Sequence, residues 1–212
     1  MRKLGVILAA VACVMLMALA AQAAAATPAV DMKGSIGFGV GGGLVMPVGT
    51  LAASADDDGF DMKKGFDVAG QLDYFLTKDF AIGADASFGQ MTNKKVSGLK
   101  AKTTQFGVHC KYLIPSSGSV APYLQVGVGM YNRKLEYKPK GFAAFAISDT
   151  KPGVNGGVGL GYKVGDRVSL DVAGTYHFSI GKMEEGGEEV SKDWSYVAFN
   201  AGLTFQIKPA AK

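Results

Sequence analysis

The sequence predicts an all-β fold: an eight-stranded antiparallel transmembrane β-barrel, an up-and-down meander over residues 34–207. Three observations predict it. Apolar residues alternate with small or polar ones in eight segments, and no internal stretch keeps a 3.6-residue period. The connections alternate between short turns and long loops, as in barrels that cross an outer membrane. The second face of the strands is mostly Gly, Ala, Ser, Thr, Asn and Gln, which suits a narrow lumen. A soluble barrel of lipocalin type would turn that face to water and fill it with Lys, Glu and Asp.

The chain begins with a segment that is not part of the barrel. Arg2 and Lys3 are basic, Leu4 to Ala20 is an unbroken apolar run, and Ala21-Gln22-Ala23 fits an A-x-A cleavage site. This is the layout of a secretory signal peptide over residues 1–23, with cleavage between 23 and 26. The run is short and alanine-ended for an anchor. Around Cys13 it continues past the cysteine, and Ala10 stands where a lipobox has leucine. Residues 24–33 form a short N-terminal segment and 208–212 a periplasmic tail. The mature chain, about 185 residues, suffices for one domain. It keeps one cysteine, Cys110, so no intramolecular disulfide is possible. A net charge of +4, two of it in the signal, gives no footprint for a nucleic-acid partner.

The first strand sets Ile36, Phe38, Val40 and Leu44 against Ser35, Gly37, Gly39 and Gly41. Its residues 37–42 read GFGVGG, a literal G-x-G-x-x-G, and Asp57 follows Gly37 by 20 positions, near the place of a ribose-binding acid. A dinucleotide site needs a helix after its glycines to hold the pyrophosphate. Leu44-Val45-Met46 instead continues the strand into Pro47, so the glycines mark an inward face. The second strand alternates through Phe66, Val68, Leu72 and Tyr74, and the third through Phe80, Ile82, Ala84, Ala86 and Phe88. Phe106, Val108, Cys110 and Tyr112 mark the fourth, and Leu124, Val126, Val128 and Met130 the fifth. Val154, Val158, Leu160 and Tyr162 mark the sixth, Val168, Leu170, Val172, Tyr176 and Phe178 the seventh, and Val197, Phe199, Leu203 and Phe205 the eighth. Gly127, Gly129, Gly157 and Gly159 repeat the spacing of the first strand's glycines.

Short turns fall at residues 77–79, 115–120 and 165–166, and long loops at 47–63, 92–102, 136–151 and 181–193. Both termini then lie on the short-turn side. Aromatics near strand ends, among them Phe66, Tyr74, Tyr112, Tyr123, Tyr162 and Trp194, are expected to form two interfacial girdles. Cys110 falls on the lipid-facing register.

The lumen-facing charges are Asp67, Asp73, Asp85 and Asp171 against Lys111 and Lys163, with His109 and His177 near neutrality. Ionised groups in a narrow interior are costly unless paired. Ion pairs that plug the lumen are therefore expected, with a proton or ion path as the alternative. Loop one carries Asp56, Asp57, Asp58 and Asp61, and loop four five acids; loop two carries Lys94, Lys95, Lys100 and Lys102 without an acid, and loop three is also basic. Closure of the barrel would make one half of the mouth acidic and the other basic. Lipopolysaccharide phosphates would favour the basic half and bridging divalent cations the acidic half. Asp56-Asp57-Asp58-Gly59 lacks the spacing of a calcium loop, and no metal or cofactor is expected.

Residues 200–207, NAGLTFQI, resemble the C-terminal β-signal of bacterial outer-membrane proteins, with Asn200, Gly202, Phe205 and Ile207 at the motif positions. The resemblance implies recognition by the barrel-assembly machinery; Lys208 to Lys212 extend past the point where many members stop. The segments 122–129 and 156–176 are similar to later strands of the small outer-membrane β-barrel family, the OmpA transmembrane domain, OmpX and relatives. That implies a monomer in the cell outer membrane among lipid and lipopolysaccharide, non-enzymatic, serving envelope structure or surface interaction. Passive transport of small solutes, as in OmpW-like barrels, is the alternative. A lipid A-modifying enzyme comes third: His177-Phe178-Ser179 resembles the His-x-Ser of barrel deacylases, but Ile180 replaces their asparagine and the register turns both side chains to the lumen.

Overall fold

A computed structural model describes residues 32–54, 59–116, 118–139, 141, 143–185, 188–191 and 194–208. Eight strands close a barrel: β1 (Ile36–Val48), β2 (Met62–Phe75), β3 (Phe80–Asn93), β4 (Leu99–Leu113), β5 (Val120–Tyr137), β6 (Phe145–Lys163), β7 (Val168–Ser179) and β10 (Trp194–Ile207). Each pairs antiparallel with its sequence neighbour, and β1 closes on β10 from Ile36↔Ile207 to Val48↔Ser195. A short hairpin, β8 (Met183–Glu185) and β9 (Glu188–Ser191), lies in the last long loop. The signal-peptide reading and Asp56, Asp57 and Asp58 lie outside the described residues.

The alternation predicts the two faces. Phe38, Val68, Phe106, Val126 and Val172 are half exposed around the outside, and Cys110 is exposed beside them. This apolar band runs for roughly 9–11 residues on each strand, the length a tilted strand needs to cross lipid. GFGVGG is part of the β1 wall, paired on both sides. Inward glycines make room for large neighbours: a Cβ on Gly159 would lie 2.3 Å from Cζ of Tyr123.

The long-loop ends of the strands depart from expectation. Loops two and three are short, because β4 begins at Leu99, β5 runs to Tyr137 and β6 begins at Phe145. Lys100, Lys102, Arg133 and Lys134 are therefore strand residues. The cause is a change of phase. Above Phe106 and Met130 the outward residues become Thr104, Lys102, Asn132 and Lys134, while the inward ones become Ala101, Leu135 and Ile147. The wall leaves the lipid and turns its polar face to water.

Trp194 and Tyr123 are not girdle residues. Both point inward and are buried, Trp194 completely. Trp194 packs with Val45, Leu51, Met62, Met91, Leu135, Met183 and Tyr196 in an apolar cluster that fills the long-loop end of the barrel. Leu51 reaches it from the 3-10 turn Gly49–Leu51, and Met183 from the last loop. A smaller cluster, Met32, Phe75 and Ala81 against Leu113, caps the short-turn end. The segment before β1 is tied there by Gly34 N–H donating to the Phe75 carbonyl at 2.7 Å.

Candidate functional site

Between the two apolar clusters lies the polar lumen. Alternation brings Asp73 of β2, Asp85 of β3 and His109 and Lys111 of β4 to one side of it. His109 Nε2 is 2.6 Å from Asp73 Oδ1, and its Nδ1 is 2.9 Å from Asp85 Oδ1. When both carboxylates are ionised, both imidazole nitrogens donate, and the ring bridges three strands. Lys111 Nζ donates to the other oxygen of Asp73 at 2.5 Å and sits 5.0 Å from the centre of the Tyr123 ring. Tyr123 donates its hydroxyl to Asp171 Oδ1 at 2.7 Å. Gly83 is the reason the His109–Asp73 bond fits: a Cβ there would lie 2.7 Å from Nε2 and 2.8 Å from Asp73 Oδ1.

Four of the eight expected lumen residues thus form one ion-paired group, and Asp171 joins it through Tyr123. The other three do not. Asp67 accepts from Asn200 Nδ2 at 2.6 Å and has no cationic partner in the described residues. Lys163 is half buried near the short-turn rim, where its backbone N–H donates to the Ser119 carbonyl, and pairs with none of the lumen acids. His177 stacks on Tyr196 with centroids 4.6 Å apart, and its Nδ1 is 3.2 Å from the Tyr131 hydroxyl. A polar cavity of about 90 Å³ remains at mid-lumen, lined by Asp67, Gln105, Asn155, Asp171 and His177 among others. Among the described residues Asp67 Oδ1, Gln105 Nε2 and Asn155 Oδ1 have no hydrogen-bond partner, so the cavity is suited to a few waters.

Among the described residues, the His177–Ser179 pair is not joined to a carboxylate as a catalytic set would be. A serine nucleophile needs a histidine base oriented by a carboxylate. His177 instead meets aromatic neighbours, and no described carboxylate hydrogen-bonds to it.

The outer rim carries a second set of charges. Arg133 is completely buried; it grips Asp149 through Nε at 2.8 Å and through a second contact from Nη2, while Nη1 donates to the Gly181 carbonyl at 2.9 Å. Its guanidinium stands 5.9 Å from the Trp194 ring centre. Trp194 Nε1 donates to Thr103 at 2.8 Å. Asp61, just before β2, accepts from Lys94 Nζ at 2.8 Å, and Lys95 Nζ lies 3.7 Å from its other oxygen. The bond from Lys94 holds the Asp61 carboxyl below its ordinary range. The expected separation into acidic and basic halves is not kept here, since an acid of loop one binds the lysines of loop two. Lys102 pairs with Glu136 at 2.8 Å, and Lys100 lies opposite Glu136 on the outer surface. Asn200 and Gly202 of the β-signal face inward, Phe205 and Ile207 outward, all on the closing strand.

Tyr123, Tyr131, Arg133, Trp194 and Tyr196 are the functional-site residues that sequence reasoning missed. Their inward parity on β5 and β10 was the available signal.

The sequence matches the family described as outer membrane protein beta-barrel domain over residues 9–207. Among solved structures, the chain is similar to neisserial surface protein A, with 19% identity and a TM-score of 0.60 over 83% of this chain and 98% of that one. It is also similar to OprG of Pseudomonas aeruginosa, with 13% identity and a TM-score of 0.56 over 84% and 98% of the chains. The N-terminal β-barrel domain of OprF from Pseudomonas aeruginosa gives 15% identity and a TM-score of 0.50 over 82% and 98%. At these identities the likeness is one of fold. No curated protein matches the chain.

Proposed function

We propose, for a chain that belongs to the outer membrane protein β-barrel domain family, that it is a non-enzymatic, monomeric outer-membrane barrel closed to solutes, serving envelope structure or surface interaction. The observation that carries this reading is the filled lumen. Trp194, Met62, Met91 and Met183 pack the external end, the Asp73–His109–Asp85–Lys111 group crosses the middle, and Met32 and Phe75 cap the periplasmic end. A solute would have to displace two packed apolar clusters and a buried ion network. The mid-lumen cavity of about 90 Å³ favours the second reading, a narrow channel for small solutes, but packed apolar clusters stand toward both ends of the lumen.

Planar-bilayer recording of the purified protein tests the reading. Insertion without discrete conductance steps is expected; a defined open step would replace the closed barrel with the channel. The same proposal places lipopolysaccharide phosphates against the outward lysines Lys100, Lys102 and Lys134, which stand just above the apolar band. Replacing these three with glutamine should weaken lipopolysaccharide co-purification several-fold. Unchanged co-purification would remove that partner. Recognition of Asn200, Gly202, Phe205 and Ile207 by the assembly machinery belongs to the same reading.

A further inference from the structure

The charges inside the barrel do not balance. Asp73, Asp85, His109 and Lys111 answer one another, and Arg133 at the outer rim is taken by Asp149. Asp67 and Asp171 are left over. Asp67 is 2% exposed, and among the described residues its carboxylate accepts only from the Asn200 amide. Asp171 accepts from the Tyr123 hydroxyl, a neutral donor. Lys163 stands at the short-turn rim and pairs with neither. The interior therefore holds two acids without a cation, and a buried carboxylate is costly unless a proton or a cation offsets its charge.

Both acids line the same mid-lumen cavity, with Asn155 and Asn200 beside them. Four side-chain atoms around it have no hydrogen-bond partner among the described residues. Three of them are oxygens: Asp67 Oδ1, Asn155 Oδ1 and Asn200 Oδ1. Asp67 and Asn155 are each more than nine-tenths buried. Glycines keep these oxygens in place, since a Cβ on Gly127 would lie 2.8 Å from Asn155 Oδ1 and one on Gly89 3.3 Å from Asp67 Oδ1. Water would satisfy the oxygens but brings no charge. A proton on each acid would remove the charge and leave the amide oxygens as they are. A cation answers both.

We propose that this cavity binds one hydrated divalent cation of the hard, oxygen-seeking kind, Mg²⁺ or Ca²⁺, with Asp67 and Asp171 as its charged ligands. Carboxylates, amide carbonyls and water are the ligands such ions take, and Mg²⁺ in particular keeps several waters beside one or two carboxylates. No thiol or thioether lines the cavity among the described residues, which disfavours a soft metal. The polar donors come from β2, β6, β7 and β10, and the cavity of about 90 Å³ leaves room for waters to complete the shell. Two positive charges match the two acids.

The ion has a structural part to play. The His109 group ties β2, β3 and β4 together through their side chains. The ion would tie β2 to β6, β7 and β10 on the other side of the lumen. Apolar clusters stand toward both ends, so it enters as the barrel closes and leaves slowly. Only this slow exchange rests on the closed-barrel reading above; the site itself does not.

The test uses the whole protein, refolded into detergent with Mg²⁺ or with Ca²⁺, passed through gel filtration in chelator and assayed by elemental mass spectrometry. One of the two ions should remain at about one per chain. Asp67→Asn combined with Asp171→Asn should retain about tenfold less, and Asp79→Asn, on a short turn, as much as the unaltered protein. Asn155→Asp adds a charged ligand and should lower the ion concentration needed for retention about tenfold. That gain decides the matter even if the double variant lacks heat-modifiable gel mobility. A folded, unaltered barrel that carries neither ion would overturn the proposal and leave both carboxyls as neutral acids. Retention unchanged in the double variant would put the ion on surface acids and overturn it equally. An ion lost on the column that still slows unfolding in urea about tenfold when added back, but not in the double variant, would keep the site and count against the closed lumen.

Discussion

Below Phe106 and Met130 the barrel wall is apolar outside and polar inside; above them the same strands are polar outside and apolar inside. One wall thus meets two solvents. Around the membrane half, lipid takes the large side chains, and the interior is left to small and polar residues that must satisfy one another. The projecting half is built like a soluble sheet, with lysines and hydroxyls in water and methionine, leucine and tryptophan packed within. The difference teaches that the two halves are held by different forces. Pairing of buried charge should dominate the first, and area buried from water the second.

Breaking the charged half should cost most. Asp73→Leu strands His109 and Lys111 without their shared carboxylate, and removing one partner of a buried ion pair costs about 3–5 kcal/mol. Urea unfolding in lipid or detergent should register a loss of that order. The double substitution Asp73→Leu with Lys111→Met leaves His109 with Asp85 alone and keeps the charge balanced. It should be less damaging than Asp73→Leu by itself. If the double variant is the worse of the two, lost packing and not stranded charge is the governing term.

In the apolar half the comparable substitution is milder. Trp194→Phe keeps most of the buried ring but leaves the Thr103 hydroxyl without its donor. The expected cost is about 1–3 kcal/mol, that of one buried polar group unsatisfied. The same unfolding measurement compares the two halves directly. A loss larger than that of Asp73→Leu would mean that the external cluster, not the ion network, holds the barrel closed.

The sequence announced the membrane half much more clearly than the projecting half, for a physical reason. Alternation with apolar residues outward is readable wherever lipid is the solvent, and it located all eight barrel strands and the inward register of Asp73, Asp85, His109 and Lys111. Where the wall leaves the lipid the period stays at two but the phase inverts, as between Phe106 and Lys102. A reader following apolar residues loses the strand there and finds a loop. Trp194 was misplaced for the same reason: near a strand end it looks like a girdle residue, and only its parity with Tyr196 and Ala198 places it inside. The pairing of Asp61 with Lys94 was illegible because it joins two loops whose approach depends on closure of the barrel.

That rim contact supplies the smallest effect and tests whether exposed charge contributes to joining the loops of the projecting half. Asp61 has a φ of +46°, unusual for a residue other than glycine, and its backbone carbonyl accepts from the Lys94 N–H at 3.0 Å while its carboxylate binds the Lys94 ammonium. Because the folded carboxyl is held below its unfolded value, the bond contributes stability that is present above the ordinary carboxylate range. That stability is lost as pH falls through the lowered folded value. Protection of the Lys94 amide against exchange, corrected for the intrinsic rate, should therefore stay level from neutral pH down to about 4 and decline below it. Asp61→Asn should show weaker protection throughout and no such decline. Equal protection in the two proteins at neutral pH would mean that the backbone bond alone joins the loops. The Asp61 carboxylate would then add nothing to this junction, and the charge that counts in the projecting half would be the buried Arg133–Asp149 pair.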